Sequence, residues 1–565
     1  MTTPRTFAIV AGVFTVLVTR SVFGTPHTFP VMPFDPTLEI AWGDCPESWV
    51  GQPSDLLAGR VQCGTMRAPV DHVAPDERRF DVGVIRVSAA VPAQREGAIF
   101  FNKGGPGSHP GKLLMSLARS WTLIQSDDPD EVNKRRLAER YDLVAVIPRG
   151  LTGSGDFRCV TGMPARYAFL PTNLDDDNWR LVLEEAQSVV DACGAVAHAR
   201  YINTEQHVHD MDMLRRALGD ERLHFYGISY GGMVGAWYAS IYPEHTGRML
   251  LDSSLDFTGD YRTAIRAAMD ARHREFFDKA VTPLLRETAR YGLGTDKEAV
   301  VTAIDALPAR IRKVRARIQS PLELAAALHV GALLRTDDPS TLEAMTRLLQ
   351  RPLTGNDALL DGRIRRSALW FASAIYASPQ VPEFSSTHQG DSVRAVVPCN
   401  DMQWTRSEQA IRRTAVQDAA RYYSATGGET FEELVCTRWG GRSARAPVLS
   451  TMGRVPPFLL VQSDQDTSTP LAGAARILDR FANGRLLLVR QSSLHGVFNF
   501  NTSSCIETTA SHYLLTGVFP DSPSRVLACD GAFDNPVDAL PGSPAPPASE
   551  PAPVAAPVPP RHDEF

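Results

Sequence analysis

With 565 residues and 43% hydrophobic content, the chain has material for a large core and length for two or more structural units. Its net charge of -6 is spread over interspersed acids and bases. With no basic run and no aromatic-basic stripe, nucleic acid is excluded as an expected partner.

The N-terminus reads as a secretory signal over residues 1–24. Arg5 supplies the positive n-region, Phe7 to Val18 the apolar h-region, and Val22-Phe23-Gly24 a small-residue cleavage site. That apolar run is too short to span a bilayer comfortably. No cysteine adjoins the cleavage site, and no other stretch reads as transmembrane. The expectation is a secreted or periplasmic protein without stable membrane insertion. The eight cysteines contain no Cys-x-x-Cys pair. In an exported chain this favours disulfides over zinc, and we expect sequential pairing because neighbours in sequence share a stretch of chain.

Residues up to about Gly59 carry Pro and Trp with little periodicity and read as an N-terminal arm. Strands are expected at Phe80–Val87, at Ala98–Phe101 running into Asn102-Lys103-Gly104-Gly105-Pro106-Gly107, and at Tyr141–Ile147. A helix follows from Asn203 or Thr204, either of which can cap it. Val208, Met211, Leu214 and Leu218 share its broad face, and Gly219 ends it. On this helix, His207-Val208-His209-Asp210 reads as a solvated polar face rather than a metal site.

Next comes Leu223-His224-Phe225-Tyr226-Gly227-Ile228-Ser229-Tyr230-Gly231-Gly232. An apolar run ends in Gly-x-Ser-x-Gly and a helix-like segment follows at once. This is the strand, sharp turn and helix of a nucleophile elbow, which strains the serine and demands small neighbours. The helix runs to about Tyr242, with Met233, Trp237 and Ile241 on one face, and Pro243 stops it. Met249-Leu250-Leu251 is the next strand, ending at Asp252.

Strands alternating with helices argue for a mostly parallel α/β sheet. The alternation stops between Phe257 and Ser386, where the reading is almost wholly helical. Strands return at Phe458–Val461 and Arg485–Val489. The expected organisation is a core over 25–256, a helical cap insert over 257–395, the rest of the core over 396–534, and a disordered Pro/Ala-rich tail over 535–565.

A serine nucleophile needs a base, and the base needs a carboxylate to orient it. Ser229 is followed in order by Asp252, Asp464 and Asp466, each at or after a strand end, and by His495 after the last expected strand. Loops at strand C-terminal ends are where such sheets hold ligands. From the residues alone the acid is open among the three aspartates.

Four blocks resemble the secreted tripeptidyl-aminopeptidases and their prolyl-aminopeptidase relatives, which are α/β-hydrolase serine peptidases. They are Cys63-Gly64-Thr65-Met66-Arg67-Ala68-Pro69-Val70-Asp71, Lys103-Gly104-Gly105-Pro106-Gly107, the run from Asp212 to Asp252, and Asp466-Thr467-Ser468-Thr469-Pro470 with His495-Gly496. The resemblance implies an α/β-hydrolase fold with Ser229 as nucleophile, Asp466 as acid and His495 as base. It also implies Gly105 and Tyr230 as oxyanion donors; Pro106 has no N–H to offer. It further implies peptide substrates, no metal or cofactor, a cap over the site, and acidic groups near the cap for the substrate's amino group, which no motif places. The chain departs from the family pattern at Ile147-Pro148-Arg149-Gly150, where Asp-Pro-Arg-Gly is usual, and at Gly232, where Thr is frequent. An esterase on the same scaffold is the alternative function; an inactive binding protein is a second.

Overall fold

The computed structural model describes residues 40–531, except position 53 and the stretches 125–126, 128–130, 162–174, 309–310, 312–317, 352–356, 377–388, 423–426, 501–502 and 520–523. The expected signal segment 1–24 and tail 535–565 lie outside the described residues. Among the described residues nine strands form one sheet: β1 (Val61–Pro69), β2 (Arg79–Val87), β3 (Gly97–Asn102), β4 (Tyr141–Val146), β5 (Leu223–Ile228), β6 (Thr246–Asp252), β7 (Phe458–Ser463), β8 (Gly484–Arg490) and β9 (Val526–Asp530). Their order is β1-β2-β4-β3-β5-β6-β7-β8-β9. β1 and β2 pair antiparallel, as do β2 and β4; all other pairs are parallel. This is an α/β-hydrolase fold.

The central strands are readable because helices cover both faces of the sheet. β3, β4 and β7 are buried at every position, so they appear in sequence as mostly apolar runs, the one charge being Asp142, which is paired with Arg86 and Arg95. The edge strands are harder to see. β1 exposes Thr65 and Arg67, and only the family resemblance marked it; β9 is five residues with three of them partly or wholly open on its apolar half. Both edges are covalently anchored, by Cys45–Cys63 at β1 and Cys505–Cys529 at β9.

Between β6 and β7 the described chain is helical from Tyr261 to Arg438. Its apolar residues divide between two cores. Those between Phe276 and Ala372 pack around one another, whereas Val393, Val396 and Leu434 join the core of the sheet. Cys399–Cys436 ties two of the helices that join the main core, and Cys159–Cys193 closes the segment before β5. All four pairs are sequential. Each links residues 18 to 37 positions apart. Closing the Cys505–Cys529 loop stabilises by about 3 kcal/mol in the chain-entropy account. Peptide mapping of unreduced mature protein is expected to recover this pair; a free thiol at either position refutes it. Among the described residues no helix is long and apolar enough to cross a membrane.

Candidate active site

The site is built where strand ends meet. Gly227 of β5 lies opposite Asn102 of β3, and Ile228 lies opposite Asp252 of β6. The chain then turns sharply at Ser229, whose φ of 62° and ψ of -124° no ordinary strand or helix residue adopts. The turn is held by its backbone. Ser229 N–H donates to Asp252 O at 2.9 Å, and Ser229 O accepts from Gly232 and Leu255 N–H. A side chain at Gly227 would place Cβ 2.5 Å from Gly231 O, and one at Gly231 would meet Asn102 O at 2.5 Å. Both glycines are therefore required. Gly232 is explained as well: a Cβ there would lie 2.0 Å from Ser254 Oγ, so the threonine frequent in the family does not fit unless Ser254 moves. The helix behind the turn, Tyr230–Ile241, is buried all round. It has no single apolar face; Met233, Trp237 and Ile241 are part of a wholly buried cylinder.

The structure separates the three aspartates by role. Asp466, 2% exposed, accepts from His495 Nδ1 at 2.9 Å. Its own orientation is set by the N–H groups of Ser468 and Thr469 at 2.8 and 3.0 Å and by the Thr469 hydroxyl at 2.9 Å. Asp464 does not reach the imidazole; it accepts from Gln491 and Ser492 N–H at the start of the histidine loop. Asp252 accepts from Val497 and Phe498 N–H just after His495, at 2.8–2.9 Å. Ser253 Oγ accepts from Gly496 N–H. The loop carrying His495 is thus gripped on both sides of the histidine by carboxylates from two different strands. Burial pushes the Asp252 carboxyl up to about 7 against the pull of those N–H donors. Burial also disfavours the charged form of His495, but the hydrogen bond and charge of Asp466, with Asp252 behind, hold it above the usual histidine range.

Gly105 and Tyr230 line the same cavity as Ser229 and His495. The Gly105 amide donates to no other group among the described residues. Tyr230 is the first residue of its helix, so its amide lies ahead of the intrahelical ladder. Both are therefore available to an anion, and the helix dipole adds to the second. The Tyr230 hydroxyl is bonded to Thr204 Oγ1, which also bonds the buried Asp401. The glycine loop packs directly on the insert: a Cβ at Gly107 would meet Gly390 O at 2.1 Å, and Gln389 Oε1 accepts from Thr152 N–H at 2.8 Å.

The cavity, of about 1080 Å³, is roofed by three helices from between β6 and β7, Tyr261–Glu275, Gln389–Asp401 and Gly428–Arg438. Its walls are largely apolar, including Leu255, Ile265, Phe431 and Val435. Three carboxylates from these helices stand in that wall, the exposed Asp391 and, from Gly428–Arg438, Glu429 and Glu432. Glu429 is paired with Arg272 at 3.3 Å. Glu432 is partly open to the cavity, but its Oε1 is sealed and has no hydrogen-bond partner among the described residues. Burial pushes the Glu432 carboxyl up to about 7, with Arg394 opposing and Glu429 adding to the rise. No motif marks Glu432 in sequence; only its unpartnered oxygen in the folded wall singles it out.

One expectation is overturned. His207-Val208-His209-Asp210 is not a solvated face: every residue from Thr204 to Asp212 is buried. The helix packs against the Tyr230–Ile241 helix, β4 and β1, and most of its polar groups find partners from other segments. Asp210 accepts from Arg149 at 2.8 Å through both oxygens and contacts His72 at 2.7 Å, while His209 Nδ1 meets Tyr242 OH at 2.6 Å. Arg149, of the Pro148-Arg149-Gly150 turn, also donates to the carbonyls of Pro69 and Val70. Mutual pairing lets a polar stretch enter the core. No group of three or more potential ligands among the described residues is placed to hold a metal.

The family described as TAP-like protein matches residues 423–529. The chain is 26% identical over 496 residues to a tripeptidyl aminopeptidase of Streptomyces coelicolor, covering 85% of this chain and 84% of that one. It is 23% identical over 524 residues to the serine protease Hip1 of Mycobacterium tuberculosis, covering 86% and 90%. It is also 25% identical over 501 residues to the carboxylesterase B of the same organism, covering 86% and 89%. The chain resembles the tripeptidyl-aminopeptidase-like α/β-hydrolases over most of its length.

Proposed function

We propose that the chain is an exported serine peptidase that releases short peptides or amino acids from free amino termini. Ser229 Oγ attacks the scissile carbonyl while His495 Nε2 takes its proton. Asp466 holds the Nδ1 proton and stabilises the imidazolium. The developing oxyanion is met by the Gly105 and Tyr230 amides. His495 returns the proton to the departing amine, and water then cleaves the acyl-enzyme by the same route. Export rests on the signal-like segment 1–24 and on the four disulfides, which persist in oxidising compartments. The unit 257–395 is the cap that restricts entry to chain ends, with the Gly428–Arg438 helix completing the wall.

The observation that carries the exopeptidase reading is Glu432, a cavity-wall carboxylate with one sealed, unpartnered oxygen. A substrate ammonium against the open side of this carboxylate pairs with its charge and favours its ionised form. Removing that cation leaves the carboxylate enclosed without a partner, at a cost of about 3–5 kcal/mol. Acetylation of a tripeptide-anilide is therefore expected to lower kcat/KM by about two orders of magnitude or more, since each 1.4 kcal/mol is tenfold. In Glu432→Gln the same comparison is expected to lose most of its discrimination. Short acyl esters serve as the control. The carboxylesterase among the similar proteins makes this arm necessary: equal cleavage of both peptides, or esters preferred to either, replaces the peptidase reading with the esterase one.

A further inference from the structure

We infer that His207 is a positioning residue for the oxyanion loop, acting through Asn102: a neutral imidazole whose bare Nε2 orients the Asn102 amide so that its oxygen holds the Gly104 amide. The inference rests on the serine-hydrolase reading of the site and adds a component to it that touches no substrate.

The argument begins at Gly104. Its N–H can only donate, and it donates to Asn102 Oδ1 at 2.8 Å. This closes a turn of two residues by a side-chain oxygen and fixes which end of the Asn102 amide faces the loop. The Asn102 NH2 then points the other way, to His207 Nε2 at 3.0 Å. Because the NH2 group is a donor, Nε2 must be the acceptor, so the ring proton sits on Nδ1. Among the described residues Nδ1 is buried without a partner. A histidine serving only to stitch the helix to the sheet gains from using both nitrogens; this one uses the nitrogen that faces the loop.

The surroundings keep Nε2 bare. Burial pushes His207 down to about 4, with Asp210 opposing and Arg149 reinforcing the fall. Asn102 and His207 are both buried, so water does not substitute for either. The turn itself has no slack. A Cβ at Gly104 would lie 2.3 Å from Ile228 O and 3.1 Å from Ser229 Cβ, and Gly104 O accepts from Ser108 N–H at 3.3 Å. Gly105, the oxyanion donor, is the next residue. Rotation of the Asn102 amide would set its NH2 against the Gly104 N–H, two donors facing each other, and move the Gly105 amide relative to Ser229. Displacing one oxyanion donor costs about 10²–10³-fold in full, so a tilt of the loop is expected to cost about 10- to 100-fold.

The test uses the mature full-length protein and a fluorophosphonate probe, which reports oxyanion stabilisation at Ser229 without assuming a peptide or an ester substrate. His207→Leu removes the acceptor and is expected to lower the maximal labelling rate by about 10- to 100-fold while the probe concentration at half-maximal rate changes less than about threefold. His207→Gln places an amide oxygen near the Nε2 position and is expected to restore most of the rate. Asn102→Ala leaves His207 and its helix intact and is expected to slow labelling as His207→Leu does; it decides the matter alone if His207→Leu does not fold. Labelling of His207→Leu or Asn102→Ala within about threefold of wild type overturns the inference. So does equal slowing in His207→Leu and His207→Gln with a lowered melting temperature, which marks a structural role only. A wild-type protein that takes no label overturns the serine-hydrolase reading itself.

Discussion

Ser229→Ala is expected to lower kcat/KM by about 10⁴-fold or more, the loss that follows removal of a triad nucleophile, with the remainder coming from binding and the oxyanion donors. The variant should fold. The serine is held by backbone bonds to Asp252, Gly232 and Leu255, all of which alanine keeps, and φ of 62° burdens alanine as it burdens serine. An unchanged melting temperature with lost turnover and lost fluorophosphonate labelling is the expected combination. Retention of more than a tenth of wild-type activity rules Ser229 out as nucleophile.

Asp466→Asn is expected to cost about 10⁴-fold in kcat, because an amide facing Nδ1 favours the wrong imidazole tautomer and cannot stabilise the imidazolium. The neighbouring carboxylates should respond differently. Asp464→Asn retains an oxygen for one of the Gln491 and Ser492 amides and should cost less than about tenfold. Asp252→Asn faces the amides of Val497 and Phe498, the hydroxyl of Ser253 and, at 3.3 Å, that of Tyr226. It can satisfy only part of that set and brings donors of its own. Its effect is therefore expected chiefly as lost stability, on the order of 1–3 kcal/mol per buried group left unpaired. Kinetics and denaturant melts on all three variants check the assignment. A larger loss of kcat in Asp464→Asn or Asp252→Asn at unaltered stability reassigns the acid.

The same variants address the acid limb of the rate profile. His495 is held above the usual histidine range, and in the proposed mechanism only its neutral form takes the Ser229 proton. Activity should therefore rise with pH through a value above that range. In Asp466→Asn the limb should shift down, because the charge and hydrogen bond that raise His495 are gone while burial remains.

What the amino-acid sequence determined by itself was local or repetitive. Gly227, Ser229 and Gly231 declare the elbow because the turn is made by consecutive backbone atoms, and a glycine is needed wherever a Cβ would strike the neighbouring chain. β3 to β8 announce themselves because strands that are mostly buried are mostly apolar. The disulfides link near neighbours, so order alone suggested the pairing. The tertiary structure decided what depends on contacts between distant residues. Asp252, Asp464 and Asp466 are alike in sequence, each a carboxylate at a strand end; only the packing of β6, β7 and β8 side by side gives one of them the imidazole and the other two the loop around it. The His207–Asp210 stretch of the helix Thr204–Ala217 reads as a solvated face because its composition is polar. It is buried because Arg149, His72, Tyr242 and Arg445, from four other segments, pair with it. Glu432 is one acid among many until the fold seals one of its oxygens against a cavity. A side chain's chemistry is written in the sequence. Its partner and its solvation, which set its role, are written only in the space the fold leaves around it.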